Sequence, residues 1–246
     1  MANFVTAEEA VSKIADGAVI ATSGFVGAIV AEHVLKALQK SFLEKGTPRD
    51  LTVVFAAGQG DGKEGGLNHF GEEGLLRCII GGHYNLSPRV GKLAMENKIE
   101  AYNFPQGTMS QWFRDIAGRR PGTITKVGLD TFVDPRIEGG RLNEKSPAGR
   151  VEVINLNGEE WLWYKPCKLD VAIIRGTTAD EDGNILMNEE IGTGEALAIA
   201  QAVRACGGIV IVQVKKIAKR ETLDPKDVKI PGVLVDYVVK SPAEDH

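Results

Sequence analysis

The chain has 246 residues, of which 43% are hydrophobic and 25% charged, and its formal net charge is −4. A globular chain of this size can bury a core without a disulfide or metal ion, and its dispersed lysines and arginines argue against a nucleic-acid partner. No apolar run approaches the roughly 18 residues of a membrane span, so we expect no membrane partner and a cytoplasmic protein. The three cysteines and four histidines lack metal-type spacing, and we expect no metal.

The first 118 residues alternate between helical and strand patterns. Thr6 stands three residues before Glu9, a capping-box pattern that starts a helix, and Pro88 fits the first position of a helix capped by Ser87. The predicted elements in chain order are a helix over 6–17, a strand over 18–22, a helix over 30–45, a strand over 51–57, a strand within 72–82, a helix over 87–97, a strand over 99–104 and a helix over 108–118.

Residues 119–165 interrupt this alternation. They are rich in glycine and proline and end in two strand patterns around Asn157-Gly158, so we interpret the segment as an inserted loop and hairpin. Trp161 and Trp163 fall on one face of the second strand, which is typical of a core or an interface.

Alternation resumes after the insert, with strands predicted in 169–176, 183–188, 209–216 and 233–239 and a helix in 195–208. The connections are too long for hairpins, and parallel strands need such crossovers. We therefore predict one α/β domain over 1–246, with a mostly parallel sheet and helices on both of its faces.

Four breaks follow predicted strands, at 23–27, 57–62, 105–108 and 175–184. In parallel α/β sheets, ligands bind outside the carboxyl ends of the strands. Each break contains glycine, which lets a ligand approach the backbone and its amide donors closely. The glycines match neither the dinucleotide fingerprint nor the P-loop, so the pattern predicts a site at this edge without naming its ligand.

Gln106 stands at a corner between a strand and a helix. Pro105 fixes the chain direction, Gly107 permits a tight turn, and Thr108 is a candidate cap for the helix. An amide side chain at a helix N-terminus, beside free backbone donors, suits a developing oxyanion. The residues alone also allow a second interpretation, in which Gln106 only bonds its own turn.

Acidic residues after a later strand are further candidates. Glu189 or Glu190 could act as a nucleophile or base, although structural roles are the simpler interpretation. Glu195 is placed to begin a helix, where a negative side chain meets the positive helix end. Asp180 and its acidic neighbours at 181–182 are interpreted as turn residues.

Several stretches together resemble the family I coenzyme A transferases. "DGAVIATSGFVG" at 16–27 resembles the family's first strand and Gly-Phe-x-Gly loop, "LTVVFAAG" at 51–58 its second strand and glycine loop, and "NFPQGT" at 103–108 its Pro-Gln-Gly-Thr turn. The likeness covers essentially the whole chain and is strongest to the first half of the single-chain acetate/propionate type. It implies an open α/β domain of the NagB/RpiA-like type.

The resemblance implies a transfer of coenzyme A between a short-chain acyl-CoA and a carboxylate such as acetate, through a glutamyl-CoA thioester. Gln106 is then the catalytic oxyanion donor, and coenzyme A is a substrate rather than a tightly bound cofactor. The two-subunit enzymes carry asparagines where this chain has Gln59, so a polar contact there would come from Gln59 or the backbone. The implied substrate- and CoA-binding residues are Gly24, Phe25, Val26, Gly27, Gly58, Gln59, Gly60, Gly107 and Thr108.

The family's nucleophilic glutamate lies in a Glu-x-Gly motif of the second half. Residues 190–192 and 72–74 match this motif superficially, but both lie in segments that resemble the first half. We therefore expect an oligomeric α-type half that is incomplete without a C-terminal half or β-type subunit. Two alternatives stay open, a non-catalytic acyl-CoA-binding module and a sugar-phosphate isomerase or hydrolase with Glu190 or Asp180 as base.

Overall fold

The computed structural model describes residues 2–246. Its helices and strands, in chain order, are β1 (Asn3–Val5), α1 (Ala7–Val11), β2 (Val19–Thr22), α2 (Glu32–Lys45), β3 (Leu51–Val54), β4 (Leu76–Gly81), α3 (Pro88–Met95), β5 (Glu100–Asn103), α4 (Gln106–Ala117), β6 (Thr123–Thr125), β7 (Val151–Leu156), β8 (Glu159–Tyr164), β9 (Val171–Arg175), β10 (Thr178–Asp180), β11 (Ile185–Leu186), α5 (Ala196–Ala205), β12 (Ile209–Val214), β13 (Lys216–Ala218) and β14 (Tyr237–Lys240). Short 3-10 helices cover Gly66–Phe70, Gly232–Leu234 and Ala243–Asp245.

Eight strands form one parallel sheet in the order β1-β14-β12-β9-β2-β3-β4-β5. The chain first builds outwards from β2 to β5, then returns to the other side of β2 and continues from β9 to β14. The strand order therefore reverses between β2 and β9. Such a switch point is where open α/β sheets form a ligand crevice. The predicted parallel α/β sheet is confirmed.

Neighbouring residues of each central strand pack on opposite faces of this sheet. Ile20 of β2 packs with apolar residues of α1, α2 and α3, whereas Ala21 packs with those of α4 and α5. Ile79 and Ile80 of β4 divide between the two clusters in the same way. Uninterrupted apolar runs are typical of strands buried on both faces, and the predicted helices on both faces are confirmed.

The insert forms a three-stranded antiparallel sheet in the order β6-β8-β7. Asn157 and Gly158, both at positive φ, close the predicted β7–β8 hairpin, whereas β6 was not predicted. The loop before β7 covers the outer edge of β5, because the amide of Asn103 donates to Gly140 O over 2.8 Å. The insert therefore removes one open edge of the central sheet.

Two predicted helix ends were wrong by a few residues, and one predicted capping bond is absent. α1 ends at Val11 rather than near 17, because from Lys13 onwards the amides bond carbonyls three residues back, in a tighter turn. Ser87 occupies the N-cap position of α3, but its hydroxyl donates to Gln59 O over 2.8 Å instead of capping the helix. α4 begins at Gln106, so Thr108 lies inside its first turn and is not the cap.

The capping box of α1 is present as predicted. The amide of Glu9 donates to Thr6 Oγ1 over 3.1 Å, and the amide of Thr6 donates to Glu9 Oε2 over 2.9 Å. We expect Thr6→Ala to lower the free energy of unfolding by about 1 kcal/mol, because amide donors of the first turn lose their side-chain acceptor. Urea unfolding measures this loss. Thr6→Ser keeps the acceptor and should retain stability; equal losses in both variants would contradict the assignment.

Candidate active site

The loop after β2 has a strained backbone that bonds to the next loop. Val26 and Ile29 both have positive φ, +55° and +58°, which is an outlier for β-branched residues. The amide of Val26 donates to Gly58 O over 2.9 Å, and the amide of Gly60 donates to Val26 O over 2.7 Å. These two bonds hold the loop after β2 against the loop after β3.

Gln59 lies inside this pair of loops rather than at their surface. Its side chain is fully buried, with Nε2 donating to Thr22 O over 3.1 Å. A polar contact between the Gln59 side chain and a substrate is therefore not supported, since the amide stabilises the two loops instead. Gly60 has φ +143°, and a Cβ there would lie 2.3 Å from Leu86 O, so this position requires glycine.

The Pro-Gln-Gly corner presents Gln106 to solvent at the start of α4. Its side chain lies on Gly82, where an added Cβ would come within 2.3 Å of Gln106 Cγ and 2.5 Å of Ala56 O. Pro105 offers no side-chain cap, so the amides of the first turn are the unpaired donors that every α-helix leaves at its N-terminus. The corner therefore combines an exposed amide side chain with backbone donors.

An open cleft of about 510 Å³ lies directly beside this corner. Gly107 and Thr108 form one wall, and the strand β6 with the residues around it forms another. No atom would meet a Cβ added at Gly107, so that glycine leaves space free next to the helix amides. Gln106 is exposed rather than packed among apolar side chains, and the lining of the cleft begins at the next residue, Gly107.

The candidate residues after β2, β3 and β5 form a row along one edge of the sheet. Gly58 packs on the ring of His83, and Gly82, the residue before His83, packs on Gln106. Val26 and Gln106 belong to loops three strands apart, about 14 Å at the usual strand spacing. The structure therefore brings the predicted residues to the same edge, with the loop after β4 between them.

The sequence pattern places Arg175 only in the break at 175–184. In the fold, its side chain joins the loops at the switch point. Its guanidinium bonds the buried carboxylate of Glu190, with Nη2 3.0 Å from Oε2 and Nε 3.1 Å from Oε1. Arg175 Nη1 also donates to Val30 O over 3.4 Å. A lone arginine at the end of an apolar strand was the signal available for this role. Glu190 is committed to this ion pair and is not presented as a free base.

The other acidic candidates also have structural partners. Asp180 is buried and accepts hydrogen bonds from the amides of Asp182 and Asn184, which closes the predicted turn. Glu195 Oε1 accepts from the hydroxyl of Ser110 over 2.6 Å, so it links the start of α5 to α4 instead of capping its own helix. None of these carboxylates is placed as an unpaired nucleophile.

A partly buried pair that the sequence did not reveal, Glu32 and His69, holds the 3-10 helix Gly66–Phe70 to α2. Glu32 Oε2 accepts from the amide of Gly66 over 2.9 Å, and Glu32 Oε1 lies 2.7 Å from His69 Nε2. Burial works to raise the pKa of Glu32, but the hydrogen bonds from His69 and Gly66 outweigh it, so the pKa lies below its ordinary value. The carboxylate therefore stays ionised and anchors the start of this 3-10 helix.

Metal-binding clusters and membrane-spanning helices are both absent from the described residues. Within residues 2–246, there is no group of three or more His, Cys, Asp or Glu side chains that could hold a metal ion. Over the same described range, every helix is too short or too polar to cross a membrane.

Gly82→Ala should disturb the corner, because its new methyl group would collide with Gln106 Cγ and a backbone carbonyl. We expect a loss of about 1–3 kcal/mol in the free energy of unfolding, measured by chemical denaturation. Gly107→Ala is the matched control, since it adds a methyl group into open space within a helix and should not destabilise. If the two variants unfold alike, Gly82 does not support Gln106.

Glu32→Gln should lower the free energy of unfolding by about 1–3 kcal/mol at pH 7, because hydrogen bonds to a charged group are lost. The pKa of Glu32 is lowered in the fold, so its contribution is present above about pH 4.3 and disappears as the pH falls further. Denaturation at pH 7 and pH 3 measures the change. Glu64→Gln, at an exposed pair with Arg89, is the control and should change little. A gap between wild type and Glu32→Gln that widens in acid would contradict this sign.

Comparison with known proteins identifies the family. Residues 4–241 match the family model described as "Coenzyme A transferase". The chain is 47% identical over 239 residues to the caffeate CoA-transferase of Acetobacterium woodii, covering 97% of this chain and 46% of that protein. It is 32% identical over 168 residues to the alpha subunit of the acetoacetyl-CoA:acetate/butyrate CoA transferase of Clostridium acetobutylicum, covering 68% of each.

The fold matches a solved structure as well. The crystal structure of the acyl-CoA transferase from E. coli O157:H7, as a thioester complex with CoA, superposes with a TM-score of 0.95 at 41% identity. The match covers 98% of this chain and 47% of that one, so the chain spans about half the length of that enzyme and of the caffeate CoA-transferase. The chain belongs to the coenzyme A transferase family.

Proposed function

We propose that this chain is the α-type half of a CoA-transferase that moves coenzyme A between a short-chain acyl-CoA and a free carboxylate such as acetate. The single observation that carries the proposal is the exposed Gln106 amide at the uncapped start of α4, beside an open cleft. Membership of the coenzyme A transferase family supports the chemistry, and the CoA thioester complex of the E. coli relative supports coenzyme A as a substrate.

The reaction needs a carboxylate nucleophile and a stabiliser for negative charge on oxygen. The carboxylate attacks the thioester carbon, expels the CoA thiolate and forms an acyl–glutamyl anhydride. The thiolate then attacks the glutamyl carbonyl, which releases the first carboxylic acid as its carboxylate and leaves a glutamyl-CoA thioester. The second acid collects coenzyme A by the reverse steps. Each attack places negative charge on a former carbonyl oxygen, and Gln106 with the first-turn amides of α4 donates to it.

The nucleophile is proposed to come from a second half or β-type subunit. Glu190 is tied to Arg175, and hydrogen bonds from Lys216 and Lys215 lower the pKa of Glu189 to about 2, which leaves a weakly basic carboxylate. The half-length match to single-chain relatives, and the match to an alpha subunit, agree with a divided site. The assembled enzyme is proposed to be an oligomer.

The remaining assignments follow from the proposed division of the active site between two halves. Phe25, Val26 and the backbone of Gly58 and Gly60 are proposed to contact substrate or the second half along the same edge. Coenzyme A acts as a substrate, with no tightly bound cofactor. The three cysteines are free thiols, which supports a reducing compartment such as the cytoplasm.

Gln106→Ala, in the chain combined with its second half, should lower kcat about 10²–10³-fold with little change in melting temperature, because one oxyanion donor is lost. Acetate-dependent turnover of a short-chain acyl-CoA measures the effect. Gln201→Ala, at an exposed glutamine of α5 that does not line the cleft, is the matched control and should keep activity.

The chain alone should show no turnover. Full transferase activity without a second half would contradict the division of the site, and coenzyme A binding without turnover in any mixture would instead indicate a binding module. Equal activity of Gln106→Ala and Gln201→Ala would contradict the oxyanion role.

A further inference from the structure

The side chain of His83 forms no hydrogen bond or ion pair with the rest of the described chain, residues 2–246. A ring nitrogen of each of the other histidines, at 33, 69 and 246, lies within 3.2 Å of an oxygen of another side chain. His83 is half-buried, yet neither of its ring nitrogens is closed off from solvent. Since polar groups inside a fold normally have partners, an imidazole held in place with both nitrogens unused is a candidate ligand contact.

Backbone packing holds the ring of His83 against the loop after β3. A Cβ added at Gly58 would lie 2.7 Å from His83 Cδ2 and 3.2 Å from His83 Cγ, so the ring lies on bare backbone. The amide of Gly82 donates to Ala56 O over 3.1 Å, which ties the loop that carries His83 to the same neighbour. The ring therefore has a fixed place at the carboxyl edge, and Gly58 provides the room for it.

His83 and Gln106 approach Gly82 from opposite sides of β4. The His83 ring leans towards the loop after β3, whereas Gln106 lies on Gly82 from the side of β5. β3 and β5 are two strand spacings apart, about 10 Å. A carboxylate that accepts one hydrogen bond of about 2.9 Å at each oxygen spans a gap of this order. The two side chains therefore flank a space that suits a small carboxylate.

We propose that His83 and Gln106 together bind the free carboxylate substrate, with one hydrogen bond to each of its oxygens. This inference rests on the proposed function and adds a substrate-binding residue to it. Whichever nitrogen carries the proton, an imidazole offers at least one N–H donor. Hydrogen bonds to a charged carboxylate are stronger than those to a neutral acceptor, so a second donor holds the small acid in one orientation.

The proposed reaction assigns one oxygen to each donor. The acid attacks the glutamyl-CoA carbonyl through one oxygen and expels the CoA thiolate, which forms the anhydride. The thiolate then attacks the carbonyl carbon of the acid, and the oxygen that made the first attack leaves with the glutamyl carboxylate. The other oxygen becomes the carbonyl oxygen of the new thioester, and Gln106 donates to it as its oxyanion role requires. The attacking oxygen is thus the one that His83 contacts.

His83→Ala, in the chain combined with its second half, should raise the KM for acetate about 10–100-fold, because a hydrogen bond to a charged group is lost. The KM for the acyl-CoA should change little, since the acyl group is a small part of that substrate. His83→Asn and His83→Gln place an amide N–H near the positions of Nδ1 and Nε2, and at least one of them should recover most of the loss. Asn85→Ala, at an exposed polar residue of the same loop, is the control and should keep both KM values.

Acetate binding is also tested on the chain alone, by nuclear magnetic resonance of the histidine rings. The His83 ring signal, assigned by its absence from His83→Asn, should shift with added acetate and reach a plateau. The signals of His33 and His69 should stay in place, because both rings have partners inside the chain. Sodium chloride at the same ionic strength is the control and should leave all three signals in place.

The outcomes separate this inference from the proposed function. A KM for acetate that His83→Ala leaves unchanged, or that all three His83 variants raise equally, would overturn the role of His83 while the proposed function stands. A His83 signal that acetate does not shift, or that chloride shifts equally, would overturn it as well. A wild-type mixture without turnover would contradict the proposed function, and the ring signals would then decide whether His83 binds a carboxylate.

Discussion

Every strand of the central sheet runs in the same direction, and the position of the candidate site depends on this constraint. Because parallel strands all end at one edge, the loops after β2, β3, β4 and β5 lie side by side although up to 80 residues of chain separate them. The reversal of strand order between β2 and β9 opens the edge at one point. The candidate site and the loops that pack against each other therefore lie along the same edge of the sheet.

The backbones of these loops lie very close together, and this explains why the loops contain so many glycines. A Cβ at Gly66 would lie 2.7 Å from Gly60 Cα, and one at Gly24 would lie 2.8 Å from Gln59 Cγ. Because glycine has no side chain, the two backbones can form hydrogen bonds with each other. The buried Gln59 side-chain amide also donates to Thr22 O. Hydrogen bonds therefore stabilise these loops together with the buried side chains of Ile29 and Val30, whereas Phe25 and Val26 face outwards.

Much of this arrangement could be predicted from the sequence. Apolar runs located the strands, and the Pro-Gln-Gly turn located the corner that carries Gln106, because both are local patterns. The ion pair of Arg175 with Glu190 and the bond of Glu32 to Gly66 could not be predicted, since they join residues that only the folded sheet brings together. β6 was missed because three residues inside a glycine- and proline-rich insert give no detectable period.

The distribution of charge at the edge supports the proposed division of the reaction between two parts. A free carboxylate about 4 Å from the Gln106 oxyanion site would oppose its developing charge by about 4 kcal/mol at an effective dielectric constant of 20. In this chain the carboxylates at the switch point are instead neutralised by partners, as Glu190 is by Arg175. Under the proposed division, the nucleophile is a carboxylate of the second half, so no carboxylate of this half has to stay unpaired at the edge. The donors of this half can then stay organised for negative charge without an unpaired carboxylate of the same half beside them.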